Sequence, residues 1–243
     1  MTEKVTGIVI SEADYGETSK ILNLLTVEKG LVGVISKGCR SVKSPLCSVS
    51  QKLTYGCFHV YYKEGKLSIL KSVDVINTFS LIRKDIVKIS YAALILDLAE
   101  QVYKECQLSE VVDVALSGLL KINEDFDPLV ISLIIELRYL DYLGVAPVLN
   151  ECTVCGTVEN IKTLSIKKGG YVCSACYDSE KVYSQKTIKM IRMFYYVDLE
   201  KISRISIQDD VKKEIRHFLN YYYDDYTGIY LKSKDFLTKL EKM

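Results

Sequence analysis

Short apolar runs separated by turn residues fill the first eighty positions of the chain. Val5–Ile10, Ile21–Val27, Leu31–Ile35, Leu53–Tyr62 and Leu67–Ile76 are rich in Val, Ile, Leu and Tyr, side chains that fit a pleated, half-buried surface. Their separators are turn-like: Tyr15-Gly16-Glu17, Glu28-Lys29-Gly30, a Gly38–Ser50 loop with Pro45, and Lys63-Glu64-Gly65-Lys66. Five such strands followed by a helix predict a five-stranded OB-type barrel. An open SH3-like barrel or a sandwich fragment would give a similar string.

From Phe79 the period changes. Ile82, Ile86, Ile89, Ala93, Leu96 and Val102 recur at helical spacing, which predicts a long helix over about 80–105. Val111–Leu120 and Leu129–Leu143 read as two more, the second opened by Asp127-Pro128 as N-cap and first-turn proline and stopped by Gly144. Helices return at Ile188–Val197, Val211–Tyr223 and weakly at Phe236–Leu240. The fold class is α+β: an N-terminal barrel over 1–78, then a helical domain over 79–150 and 183–243 with an insert at 151–182.

Composition narrows the choices. The 243 residues are 49% hydrophobic and 26% charged, which excludes wholesale disorder. Lys and Arg number 32 against 31 Asp and Glu, so net charge names no partner. The distribution is uneven, however, with segments 1–80, 81–150 and 151–243 carrying +3, −5 and +3. The first residues, Met-Thr-Glu-Lys-Val-Thr-Gly, lack a charged region leading into an apolar one. The long apolar stretches are broken by Lys88, Asp97 and Glu136. A soluble, cytoplasmic protein with no membrane partner is expected, and eight cysteines in reducing cytosol call for a role other than disulfides.

The cysteines carry the most specific signal. Cys152-Thr-Val-Cys155 and Cys173-Ser-Ala-Cys176 stand seventeen residues apart, a spacing that encloses one tetrahedral Zn²⁺ in four thiolates. Lys168-Gly169-Gly170 between two short apolar runs predicts the hairpin of a zinc ribbon, with Lys162, Lys167, Lys168 and Lys181 to offset its charge. Four Cys ligands leave no open position, so the metal is structural. Cys39, Cys47, Cys57 and Cys106 are scattered and read as reduced thiols.

The basic run Ser36–Ser44 is the candidate nucleic-acid contact. Lys37, Arg40 and Lys43 can meet successive phosphates while Gly38 lets the backbone approach, and Lys20 after Thr18-Ser19 adds a weaker fourth cation. An ordinary solvated loop would carry the same run. Tyr55, Phe58, Tyr61 and Tyr62 are candidate base platforms, but alternation puts Phe58 and Tyr62 on one face and Tyr55 and Tyr61 on the other, so at least one pair is core. No phosphate-binding glycine motif, nucleophile elbow or deaminase signature is present, and two histidines make a Ser/His or Cys/His centre improbable. No enzymatic activity is expected. Tyr221-Tyr222-Tyr223-Asp224-Asp225-Tyr226 reads as part core and part exposed helix.

In this order the parts resemble the RecO family of bacterial DNA-repair recombination mediators. The matching residues are Gly7-Ile8-Val9-Ile10, Tyr15-Gly16-Glu17-Thr18-Ser19-Lys20, Lys37-Gly38-Cys39-Arg40-Ser41 with Lys43-Ser44, and Leu143-Gly144-Val145-Ala146-Pro147-Val148-Leu149 leading into Cys152. The resemblance implies an OB-fold that binds single- and double-stranded DNA, structural zinc, and annealing of complementary strands. It implies work with RecR, and often RecF, in loading RecA, and contact with the acidic C-terminal tail of single-strand-binding protein. Carried over by position, Lys37, Arg40 and Lys43, with Lys20, become the DNA contacts, and Cys152, Cys155, Cys173 and Cys176 the zinc ligands. An acidic tail would be met by a basic patch of the last segment rather than by 81–150. A nucleoid-associated place in the cytoplasm follows. The rival classes are a sequence-specific regulator reading DNA with the ribbon, and a protein-interaction scaffold.

Overall fold

The structure, a computed structural model, describes residues 2–204, 206–231, 233, 234 and 237. The chain divides into two compact units, one of Met1–Asp125 with Leu231–Met243 and the other of Phe126–Tyr230.

The first unit opens with a closed five-stranded barrel in the order β1-β2-β3-β5-β4. The strands are β1 (Thr2–Tyr15), β2 (Ser19–Thr26), β3 (Gly30–Ser36), β4 (Tyr55–Tyr61) and β5 (Ser68–Asn77). All pairings are antiparallel except β3 with β5, joined through Val34–Ser68 and Ile35–Ile69. Period-two alternation sends Val5, Val9, Leu22, Leu24, Val32, Val34, Phe58, Val60 and Leu70 into one barrel core. β1 runs several residues past the predicted Val5–Ile10, because a register shift between Val9 and Ser11 lets its polar end pair on with β2 as far as Tyr15–Ser19. Pairing with β2, not apolarity, sustains that half of the strand. In the first half of β1 Gly7 is needed, because a Cβ would run into the backbone of Leu25 and Thr26.

The single helix expected over 80–105 is two, α1 (Ser80–Arg83) and α2 (Ile86–Cys106). Asp85 makes the break. Its carboxylate accepts from the N–H groups of Val87 and Lys88 at 2.8 and 3.2 Å and starts a new helix. The break also resets the apolar stripe, so Ile82 is fully buried while Ile86, next in the predicted series, is exposed. α3 (Glu110–Asn123) packs on α2.

The second unit begins with α4 (Pro128–Tyr142), capped by Asp127 through Leu129 N–H at 2.9 Å. It continues through a hairpin of β6 (Ile161–Ser165) and β7 (Gly170–Cys173), then α5 (Gln185–Tyr196) and α6 (Asp209–Tyr226). α4, α5 and α6 pack on one another. Within the tyrosine run, Tyr222 and Tyr223 are buried and donate to the carbonyls of Val145 and Glu136, whereas Tyr221 is exposed. The weak helix expected over Phe236–Leu240 lies, apart from Leu237, outside the described residues. Among the described residues no helix is long and apolar enough to cross a membrane.

Candidate metal centre and nucleic-acid interface

The Leu143–Leu149 run positions the ribbon. Val148 lies beside Gly170 as a short parallel bridge, its N–H donating to Gly169 and its carbonyl accepting from Tyr171, each at 2.9 Å. Gly170, at φ 152°, leaves no room for a side chain against the Val148 backbone. The first cysteine pair then turns on Gly156, at φ 72°, whose N–H closes on the Cys152 carbonyl at 2.9 Å. The second begins where β7 ends, with Cys176 N–H closing on Cys173 at 3.2 Å.

These two turns bring the sulfurs of Cys152, Cys155, Cys173 and Cys176 within 4.8 Å of one another. The Cys155 and Cys173 sulfurs are 3.7 Å apart. Ligands about 2.3 Å from a tetrahedral zinc stand about 3.8 Å apart, so the cage matches the ion. Cys173 N–H also donates to the Cys152 sulfur at 3.4 Å, a bond that favours thiolate. Burial pushes the Cys152 thiol up, but the N–H groups of Cys173, Cys155 and Val154 outweigh it and bring it to about 6. Hydrogen bonds to the Cys155 and Cys173 sulfurs push Cys176 up to about 12. Four thiols held this close resist full ionisation until a divalent cation removes their mutual repulsion. Zinc bound there would supply cross-linking of the two turns, with no ligand position left for water.

Three of the four lysines expected to offset the cage's charge have partners of their own. Lys168 donates to the Cys176 carbonyl at 2.9 Å while paired with Glu180, Lys162 sits over the Tyr177 ring, and Lys181 lies over Tyr183. Backbone N–H groups reach the Cys152 sulfur directly, while Lys168 sits beside Cys176.

On the barrel, the basic loop leaves β3 and docks on the β1–β2 turn. Gly38 N–H donates to Ser19 Oγ at 3.2 Å, Arg40 N–H to the Thr18 carbonyl at 2.9 Å, and Ser36 and Ser50 hydroxyls meet at 2.7 Å at its base. Cys39 turns inward and is buried, so Lys37, Arg40 and Lys43 face outward. The Gly16–Ser19 segment is thus the seat on which the loop's backbone rests.

The four cations do not stand alike. Lys20 is held by Glu12 at 2.8 Å, and Arg40 reaches Asp14 at 3.2 Å and the Gly16 carbonyl at 3.4 Å. The hydrogen bond that Lys20 donates to Glu12 raises its amine above the ordinary range. Lys37 and Lys43 are exposed and have no ion pair among the described residues. Exposed pairs contribute about 0–1 kcal/mol, so a phosphate can displace Asp14 from Arg40. Of the four aromatic candidates, Phe58 is core, Tyr62 packs against that core, and Tyr55 stacks on Phe79 at 6.4 Å. Tyr61 stays exposed on the outer wall. Tyr15, half-exposed at the end of β1 beside Gly16, is a further exposed aromatic of the barrel. Its place in a Tyr-Gly turn hid it among turn residues.

The closed barrel, the helices and the four-thiolate cage define an α+β barrel protein whose helical part carries a ribbon fit for structural metal. Comparison with known proteins makes the assignment specific: the chain belongs to the RecO family. The Recombination protein O N-terminal family matches residues 1–79 and the Recombination protein O C-terminal family matches residues 83–235. DNA repair protein RecO of Bacillus velezensis is 35% identical over 247 residues, covering 100% of this chain and 96% of that protein. The protein of the same name from Bacillus subtilis is 34% identical over the same span and shares. That of Bacillus cereus is 35% identical over 246 residues, covering 100% of this chain and 99% of that protein.

Proposed function

We propose that this chain is a non-enzymatic DNA-repair mediator that binds single- and double-stranded DNA, anneals complementary strands and assists RecA loading with RecR and RecF. The observation that carries the reading is the loop of Lys37, Arg40 and Lys43, turned outward from a barrel edge by its seating on Gly16–Ser19. The relatives named DNA repair protein RecO support the same role.

The mechanism is electrostatic. Cations on the loop neutralise phosphates and release condensed counterions, so two complementary strands approach with less repulsion. Base pairing then supplies specificity and driving force, and no nucleotide hydrolysis is required. Zinc in the ribbon would hold the Cys152–Cys176 segment in shape. For the acidic tail of single-strand-binding protein, the supporting surface is α5, where exposed Lys189 and Arg192 flank exposed Met193 and Tyr196 beside a groove of about 690 Å³. Cations next to exposed apolar side chains suit an acidic peptide with an apolar end.

The test is fluorescence anisotropy of a labelled single strand titrated at several salt concentrations, followed by addition of the complement. Salt-sensitive binding and accelerated annealing are expected. Lys37→Ala, Arg40→Ala and Lys43→Ala combined should reduce the salt slope by about two and weaken binding uniformly across sequences. No binding at low salt would overturn the reading in favour of a scaffold. Strong preference for one duplex would favour a regulator.

A further inference from the structure

A second set of side chains with metal-ligating atoms meets on the outer wall of the barrel. β4 alternates, so Gly56, Phe58 and Val60 face inward while Cys57 and His59 face outward, two residues apart on one side. In the antiparallel register, Asp74 of β5 stands opposite Cys57, and Ser72 opposite His59. His59 Nε2 lies 2.7 Å from Asp74 Oδ2. One sulfur, one ring nitrogen and one carboxylate oxygen from these three residues all lie within 4.8 Å of one another.

We infer that Cys57, His59 and Asp74 form a second site, for a divalent first-row transition ion such as Zn²⁺ or Co²⁺. The donor chemistry selects the class. A thiolate and an imidazole are poor partners for Mg²⁺ or Ca²⁺, whereas sulfur, nitrogen and oxygen together suit borderline ions. Three protein ligands on a half-open wall leave one position for water, and affinity below that of the four-thiolate cage follows from the smaller ligand set.

Entry of the ion needs only side-chain rotation. Around a tetrahedral ion the nitrogen and oxygen ligands stand about 3.3 Å apart, so His59 and Asp74 part slightly while Cys57 swings toward them. On binding, Cys57 gives its thiol proton to solvent and His59 binds as the neutral ring. Thiolate, carboxylate and a dication sum to zero, so Lys4, exposed and opposite His59 in the β1–β4 register, meets no net positive charge. The ion ties β4 to β5 beside the register shift between His59 and Val60, where the ladder is interrupted.

The test uses the full chain purified with its ribbon metal in place and takes Co²⁺ as the probe. One further equivalent should bind with a near-ultraviolet thiolate-to-cobalt absorption, and Cys57→Ser should abolish that absorption. Zn²⁺ should slow alkylation of Cys57, read in the tryptic peptide 53–63. His59→Gln and Asp74→Asn should each lose at least about tenfold in Co²⁺ affinity. All three positions face outward, and circular dichroism checks that the barrel is retained. The ribbon cysteines, read in the same digest, should stay protected in every variant, which separates failure at the barrel from loss of the cage. No further equivalent, or alkylation of Cys57 at one rate with and without Zn²⁺, overturns the inference.

Discussion

Glu136 sits on a helix buried on nearly every side, and Arg216 reaches it from α6 while donating to Ser132 Oγ at 2.8 Å. Removing one partner of a buried pair strands the other charge, at a cost of about 3–5 kcal/mol. Arg216→Ala should therefore lower the urea midpoint of the second unit sharply. His217 is a second titratable residue with a structural consequence. Burial, and next the charge of Lys181, hold its imidazole below the ordinary range, while Tyr183 hydroxyl meets Nδ1 at 3.0 Å. The unfolded chain thus takes up a proton first as pH falls. The stability from neutral His217 is fully present above about pH 6.5 and is lost below it. Thermal midpoints should fall between about pH 7.5 and 5.5 in the natural chain and fall less in His217→Gln. At this scale the convergence of the four cysteines was legible, because two C-x-x-C turns encode their own geometry. The pairing of Lys20 with Glu12 and of Arg40 with Asp14 was not, because it depends on which strand residues face one another after the shift at Val9.

Elements were legible wherever a local signal and the apolar period agreed. Asp127-Pro128 predicts the start of α4 and is found there, with the side chain capping as expected. Asp85 carries the same capping chemistry, but it stands inside an unbroken apolar period, and the period dominated the reading. Asp85→Ala should cost about 1 kcal/mol and lower the thermal midpoint, with the loss confined to the start of α2 in hydrogen exchange. The polar end of β1 was illegible for the opposite reason: Glu12 and Asp14 show no strand preference and are held extended by β2.

For the whole molecule, metal and units set the expectation. Zinc bound in the four-cysteine cage would contribute apparent binding energy of roughly 10–16 kcal/mol, far beyond what a short hairpin gains by burial. On that reading, a strong chelator should deprotect the amides of 152–176 in hydrogen exchange while the barrel strands stay protected; equal loss in both would show that the cage stabilises the whole chain. The compact units part at Asp125 and Phe126, between α3 and α4, inside the segment read from sequence as one helical stretch. Asp127-Pro128 marks the start of α4 but not a change of unit, since both helices are apolar and a short connection joins them. The order of strands before helices, the cysteine spacing and the cationic run are written in neighbours along the chain. Only the tertiary structure decided which cations are paired, which aromatics are core, and that Cys57, His59 and Asp74 converge. Those outcomes depend on register and barrel closure, which bring together residues that the chain keeps far apart.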